Sequence, residues 1–157
     1  MSYDAVERYL KARGILEKVL FFPESAISAE DAAKHVGCQT AQIAKTIGLY
    51  LKDGSIVLVV TAGDTKIDNS AYRAVFNQRP KMIPIEKLPE LAGHAIGSMC
   101  PFGVKPGVKI FLDESLKEYE VIYPGSGGGN NYIKLTPAEL ELYAENFSGW
   151  LNLCKKL

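Results

Sequence analysis

Apolar residues recur along the chain with two spacings, near 3.6 and near two, which mark out an alternation of helices and strands. Tyr3, Val6 and Leu10 fall on one helical face after Ser2, and Gly14 supplies a stop. Val19-Leu20-Phe21-Phe22 before Pro23 reads as a short buried strand. Ser28 is placed to cap a helix with Glu30 and Asp31 in its first turn, Ala32, Ala33 and Val36 inward, and Gly37 at its end. The segment from Thr40 to Leu51, rich in Ile, Thr and Tyr, predicts a strand, and Lys52-Asp53-Gly54 a hairpin turn. Ser55-Ile56-Val57-Leu58-Val59-Val60-Thr61 is apolar on both faces, which predicts a central strand.

Asp68 is placed to cap a helix carrying Tyr72, Val75 and Phe76. Met82-Ile83-Pro84 reads as a short strand and Ile85 to Leu91 as a helical turn or two. Val108 to Leu112, Tyr119 to Tyr123 and Tyr132 to Leu135 predict three more strands, with a loop from Pro124 to Asn131 before the last. Thr136-Pro137-Ala138-Glu139 is a strong helix start: Thr as N-cap, Pro at the first position and Glu closing a capping box. Leu140, Tyr143, Ala144 and Phe147 give that helix an apolar stripe. No repeat or linker interrupts the pattern, so residues 1–157 read as a single domain, and a domain of this size buries roughly 70% of its unfolded surface.

Composition narrows the classes. Hydrophobic residues make up 47% and charged residues 23%, as in an ordinary globular chain. No apolar run approaches the roughly 20 residues needed to span a bilayer. The first eight residues lack a secretory pattern, which predicts a cytoplasmic protein without a membrane partner. Eighteen basic residues balance eighteen acidic ones, which argues against a long phosphate-backbone footprint but allows reading of an RNA end. Cys38, Cys100 and Cys154 are odd in number and widely spaced, so no structural disulfide is expected.

Two features carry candidate chemistry. Lys45 is the one charge in the apolar run from Thr40 to Leu51, and an unpartnered ammonium costs several kcal/mol to bury. It either runs its stem along apolar surface to reach water or serves an anionic ligand. Gly97-Ser98-Met99-Cys100-Pro101-Phe102-Gly103 either punctuates turns or brings backbone N–H groups close to a developing negative charge. Ser98 has no evident histidine partner. Cys100 reads better as a small apolar filler than as a nucleophile. His35, Cys38, His94 and Cys100 match no compact zinc spacing, so no metal is expected. Gly127-Gly128-Gly129 fits no nucleotide-binding fingerprint, so no cofactor is expected.

The order of these features, with Ala44-Lys45-Thr46, Gly97-x-x-x-Pro101, Phe102-Gly103, the glycine-rich loop and Thr136-Pro137-Ala138-Glu139-Leu140, resembles the YbaK/ProX family of aminoacyl-tRNA deacylases. That family is similar to the editing insertion domain of bacterial prolyl-tRNA synthetase. The resemblance spans nearly the whole chain. It implies an α+β fold: a mixed, mostly antiparallel sheet curled into a partial barrel with peripheral helices. It also implies hydrolysis of the ester joining a wrong, small amino acid to the 3′ end of a tRNA, often of the proline type. Lys45 would match the family's essential lysine. Gly97 to Pro101 would match the loop facing the aminoacyl group, with Gly97, Ser98 and Pro101 counted as catalytic. Gly127 to Asn131 would match the second loop beside the pocket. Some members carry a histidine or an acid near that loop where this chain has Asn130 and Asn131, which bears on the amino acid preferred.

The expected substrate-binding set is Phe22, Ile43, Thr46, Met99, Cys100, Gly103, Gly128, Gly129 and Asn130. The expected partners are the 3′ acceptor end of an aminoacyl-tRNA and a presenting synthetase such as prolyl-tRNA synthetase. Positioning, charge stabilisation and a water would suffice for so labile an ester. A rival reading keeps the fold as a non-catalytic module that binds an aminoacyl or acidic small ligand, and a third makes Cys100 the centre of a thiol redox protein.

Overall fold

A computed structural model describes residues 2–157. In chain order the elements are α1 (Ser2–Ala12), β1 (Val19–Phe21), α2 (Ala29–Val36), β2 (Ile43–Tyr50), β3 (Ile56–Ala62), β4 (Thr65–Ile67) and α3 (Asn69–Phe76). There follow α4 (Leu88–Leu91), β5 (Lys109–Asp113), β6 (Tyr123–Pro124), β7 (Asn131–Ile133), α5 (Pro137–Tyr143), β8 (Phe147–Leu151) and β9 (Cys154–Lys156). The architecture is α+β, with a curled five-stranded sheet of order β6-β2-β3-β5-β8 and two small ladders, β1-β7 and β4-β9.

β3 occupies the middle of the five-stranded sheet, and all seven of its residues are buried. Ile56, Leu58 and Val60 pack into the main core with Ile110, Leu112 and Phe102, while Val57 and Val59 pack on the other face with Leu49, Tyr72 and Leu153. Burial on both faces follows from a side-chain period of two in a run without charged residues. Each fully buried aliphatic side chain of this kind contributes roughly 1.5–3 kcal/mol.

Local sequence signals fix the helix ends. The Ser28 hydroxyl accepts from the Asp31 N–H at 3.0 Å, and Gly37 closes α2 in the left-handed region at φ +82°. The Asp68 carboxylate accepts from the N–H groups of Ser70 and Ala71. Thr136 and Glu139 form the reciprocal capping box, at 3.1 and 2.9 Å.

Four expectations are corrected. β1 is largely exposed rather than buried, because it forms a two-stranded ladder with β7 at the edge of the molecule. Antiparallel pairing predominates over the molecule through β2-β3, β1-β7, β4-β9 and three isolated bridges, yet the other three neighbours within the five-stranded sheet pair in parallel. The segment before Tyr123 forms a 3₁₀ turn at Glu114–Glu118 and a lone bridge at Ile122 instead of a strand. The last helix stops at Tyr143. Glu145 turns back, its N–H donating to the Pro101 carbonyl and its carboxylate accepting from the Val104 N–H, and Asn146 takes a left-handed φ of +52°. Phe147 therefore begins β8, which lies beside β5 as an edge strand.

Candidate active site

Lys45 sits near the start of β2, opposite Thr61 of β3. Residues 43, 45, 47 and 49 share one face of β2, so its side chain leaves the sheet on the side of the second core cluster. Its Nζ donates to the backbone carbonyl of Thr65, at the start of β4. That carbonyl is held by a polar scaffold. The Thr65 hydroxyl donates to the Ala62 carbonyl and lies 2.7 Å from the Thr61 hydroxyl, which in turn lies 3.2 Å from that of Ser115. Buried Asp113 anchors the neighbourhood by accepting from the N–H groups of Ser115, Leu153 and Cys154. Burial lowers the Lys45 pKa below its usual value, and the nearby Cys154 and Asp64 side chains partly offset this. None of these supporting groups is adjacent to Lys45 in sequence: the β2-β3 pairing brings Thr61, the end of β5 and the turn after it bring Asp113 and Ser115, and the β4-β9 ladder brings Thr65 and Cys154.

Lys45 also lines a cleft of about 310 Å³ bounded by two glycine-bearing loops. Gly97 has φ +85°, and a Cβ there would have no neighbour within 4 Å, which marks its open side. A Cβ built at Gly129 would lie 3.5 Å from the Gly97 carbonyl oxygen and 3.8 Å from the Ser98 hydroxyl, so the loops face each other closely. Ile43, Met99, Ala32 and Tyr132 supply apolar wall. Thr46 also lines the cleft, and its buried hydroxyl has no hydrogen-bond partner among the described residues.

Backbone polarity at the lip is uneven. The Ser98 N–H is engaged by the Ala95 carbonyl at 2.9 Å, whereas those of Gly97 and Met99 donate to no acceptor among the described residues. The second loop is tied down through its asparagines. Asn130 Nδ2 donates to the Phe22 carbonyl at 2.8 Å, and the Phe22 N–H donates back to the Asn130 carbonyl at 2.9 Å. Asn131 Oδ1 accepts from the Gly128 N–H at 2.7 Å, and a Cβ at Gly128 would come within 2.7 Å of that side chain.

Of the residues anticipated from sequence, Lys45, Gly97, Ser98, Ile43, Thr46, Met99 and Gly129 line this cleft. Phe22, Cys100, Pro101, Gly103, Gly128 and Asn130 do not. Phe22 packs behind it, its ring 5.9 Å from Tyr132 and 6.5 Å from His35. Gly103, at φ +62°, abuts α1, where an added Cβ would lie 2.8 Å from the Ala5 carbonyl carbon. Pro101 is buried. Cys100 is fully buried, with its thiol pushed up to about 12 by burial. It lies 3.5 Å from Nε2 of His94, which itself lies 2.6 Å from the Phe102 carbonyl and is equally buried. A cysteine–histidine pair thus exists, sealed from the cleft. Ala26, Ile27 and Asn131 line the cleft without having been singled out as substrate contacts from sequence, because their role depends on how the second loop folds against the start of α2. Among the described residues no group of three or more His, Cys, Asp and Glu is placed to hold a metal. No helix among them is long and apolar enough to cross a membrane.

The profile of the aminoacyl-tRNA editing domain family matches residues 23–142. YwhH, an uncharacterized protein of Bacillus subtilis (strain 168), is 34% identical over 156 residues, covering 99% of this chain and 98% of its own. EbsC of Enterococcus faecalis (strain ATCC 700802 / V583), named as a candidate Cys-tRNA(Pro)/Cys-tRNA(Cys) deacylase, is 26% identical over 115 residues, covering 73% of this chain and 70% of its own. A crystal structure of a candidate trans-editing enzyme for prolyl-tRNA synthetase superposes with a TM-score of 0.86 at 26% identity, covering 98% of this chain and 97% of that one.

Proposed function

The chain belongs to the aminoacyl-tRNA editing domain family, and from that premise we propose that it is a free-standing deacylase that removes a small, wrongly attached amino acid from the 3′ end of a tRNA of the proline type. The observation that carries this reading is the half-buried Lys45 ammonium beside a small, largely apolar cleft closed by two glycine loops. At about 310 Å³ the cleft lies at the lower end of the range for small-molecule sites. Steric exclusion of larger amino acids is the discrimination such a site achieves best, since one methylene is worth only about 1–3 kcal/mol in binding.

In this reading a water adds to the ester carbonyl, the bond from that carbon to the ribose oxygen breaks, and the amino acid leaves as its carboxylate with release of one proton. The unengaged N–H groups of Gly97 and Met99 steady the oxyanion. Lys45 acts as a cation that orients the acylated ribose or its phosphate, exchanging its Thr65 carbonyl for the substrate. Thr46 contributes to the cleft wall only, since its hydroxyl is buried away from the opening. Pro101 stiffens the loop from behind, Gly128 shapes the second loop by donating to Asn131, and Asn130 sets that loop against Phe22. A cytoplasmic location and a synthetase that presents the tRNA go with this reading, since the balanced net charge gives little affinity of its own for a long RNA.

The test is incubation with a panel of labelled aminoacyl-tRNAs. Multiple turnovers on a small non-cognate amino acid attached to proline-type tRNA are expected. Retention without turnover would support the binding-module reading instead, and indifference to the whole panel would remove both.

A further inference from the structure

A second concavity, of about 890 Å³, adjoins the cleft and shares Ser98, Gly127 and Asn131 with it as common wall. Its far side is formed by Tyr3 and Arg8 of α1, Phe21 of β1 and Lys105 of the loop before β5. The β1-β7 register pairs Phe21 with Asn131, a residue of the common wall, so β7 ties the two sides of the groove together. Phe21 is 58% exposed and meets Tyr3 edge-on at 5.6 Å between ring centroids. Arg8 and Lys105 are exposed and form no ion pair with a carboxylate among the described residues. No Asp or Glu lines the groove, although Glu7, exposed on the same helix, is close enough for its charge to act on the Tyr3 hydroxyl.

We propose that this groove receives the unpaired 3′-terminal nucleotides of the tRNA, with the Phe21 ring, steadied by Tyr3, stacking a base and Arg8 and Lys105 meeting the backbone phosphates. The inference rests on the deacylase reading for its choice of nucleic acid. The cleft is too small to hold an aminoacyl group together with a whole nucleotide, so the base and the preceding phosphates must lie on an adjoining surface. The groove is the surface continuous with the Ser98 and Asn131 wall. Aromatic faces flanked by cations are what an unpaired strand requires, since every base offers a face to stack and every linkage a phosphate. Two cations in a chain of zero net charge make a short, local footprint.

The experiment uses the full chain and two independent readouts: binding of a short single-stranded RNA ending in CCA, followed by fluorescence anisotropy at low salt, and steady-state deacylation of charged tRNA. Phe21→Ala should weaken RNA binding by roughly tenfold, within the range for loss of one stacked base. The Arg8→Gln, Lys105→Gln double variant should weaken it and flatten a salt slope of roughly −1 to −2. In deacylation the same variants should raise KM with kcat little altered. Circular dichroism and the thermal midpoint report folding, which exposed side chains should leave near wild type. RNA affinity and KM both unchanged in these variants would overturn the groove assignment, as would a wild-type protein that fails to bind the RNA. RNA binding that depends on Phe21 in a protein that turns over no aminoacyl-tRNA would uphold the groove and bring down the hydrolytic reading.

Discussion

The first and second halves of the 97–103 loop differ more than their shared glycine-proline character suggests. Gly97, Ser98 and Met99 face the cleft, and a Cβ at Gly97 would project into open space. Cys100 and Phe102 are fully buried in the main core, and Gly103 presses its backbone on α1 so closely that a Cβ there would collide with Ala5. Both glycines have positive φ, +85° and +62°, yet one is exposed to whatever enters the cleft and the other is confined by packing. A loop that reads as one chemical motif is thus divided into a working lip and an anchor. Its precision at the lip depends on burial of the residues three to five positions later.

The sharpest way to break this division is at the anchor. Phe102 is fully buried, so Phe102→Ala should cost about 3–5 kcal/mol of stability in urea unfolding. Near-wild-type stability would mean that the loop is not held from behind. Across the cleft, Lys45→Ala should lower kcat/KM by roughly 10²–10³-fold, the range for losing one preorganised electrostatic group. Its thermal midpoint should stay within a few degrees, because a lone half-buried cation contributes little net stability. Near-full turnover in that variant would remove the lysine from the site.

How much of this was legible beforehand follows the range of the interactions. β3 and the caps at Ser28, Asp68 and Thr136 are written in consecutive residues, and the structure has them where the pattern puts them. β8 was hidden because Phe147 continues the helical spacing of Leu140 and Tyr143. What ends the helix is Glu145 reaching Pro101 and Val104, some forty residues away. β9, Cys154–Lys156, looks like a charged tail until it pairs with β4. The same pairing brings Cys154 near Lys45 and fixes Thr65, whose carbonyl takes the Lys45 ammonium. The split of the loop was legible only in part: Cys100 reads as an apolar filler and is one, but nothing in the sequence shows that Met99 beside it reaches the cleft while Cys100 does not.

The two glycines offer a finer test. Gly103→Ala adds a methyl group 2.8 Å from backbone, and should cost about 1–3 kcal/mol by overpacking, with catalysis falling only as folded protein is lost. Gly97→Ala has room, so its stability cost should be about 1 kcal/mol, arising from the left-handed φ alone. Turnover per folded molecule should nevertheless fall roughly tenfold, because the added methyl group occupies the side from which the ester approaches. If Gly103→Ala impaired turnover of the folded fraction more than Gly97→Ala, lip and anchor would have to be exchanged.

The smallest effect separates the lip from the anchor by the sign of a pH dependence. The candidate group on the cleft is an ammonium whose pKa burial lowers from 10.5; the candidate on the core side is a thiol that burial raises from 9.0 to about 12. If Lys45 acts as a cation, the rate after subtraction of spontaneous ester hydrolysis should decline gently, with a slope no steeper than one proton, as the pH rises from about 8 toward 10. If Cys100 were the nucleophile, its thiolate would become more abundant over the same range and the rate would climb. Stability supplies a check on the lysine. The unfolded chain holds the Lys45 proton to a higher pH than the folded one, so the contribution of Lys45 to stability should increase as the pH rises through that window. Lys45→Met should remove both the decline in rate and this increment. Cys100→Ala should change neither and should keep turnover within about threefold of wild type, since a sealed, protonated thiol has no path to the ester. A rising rate that Cys100→Ala abolishes, together with a trapped acyl-cysteine, would put the chemistry on the core side of the loop and reverse the division between its halves.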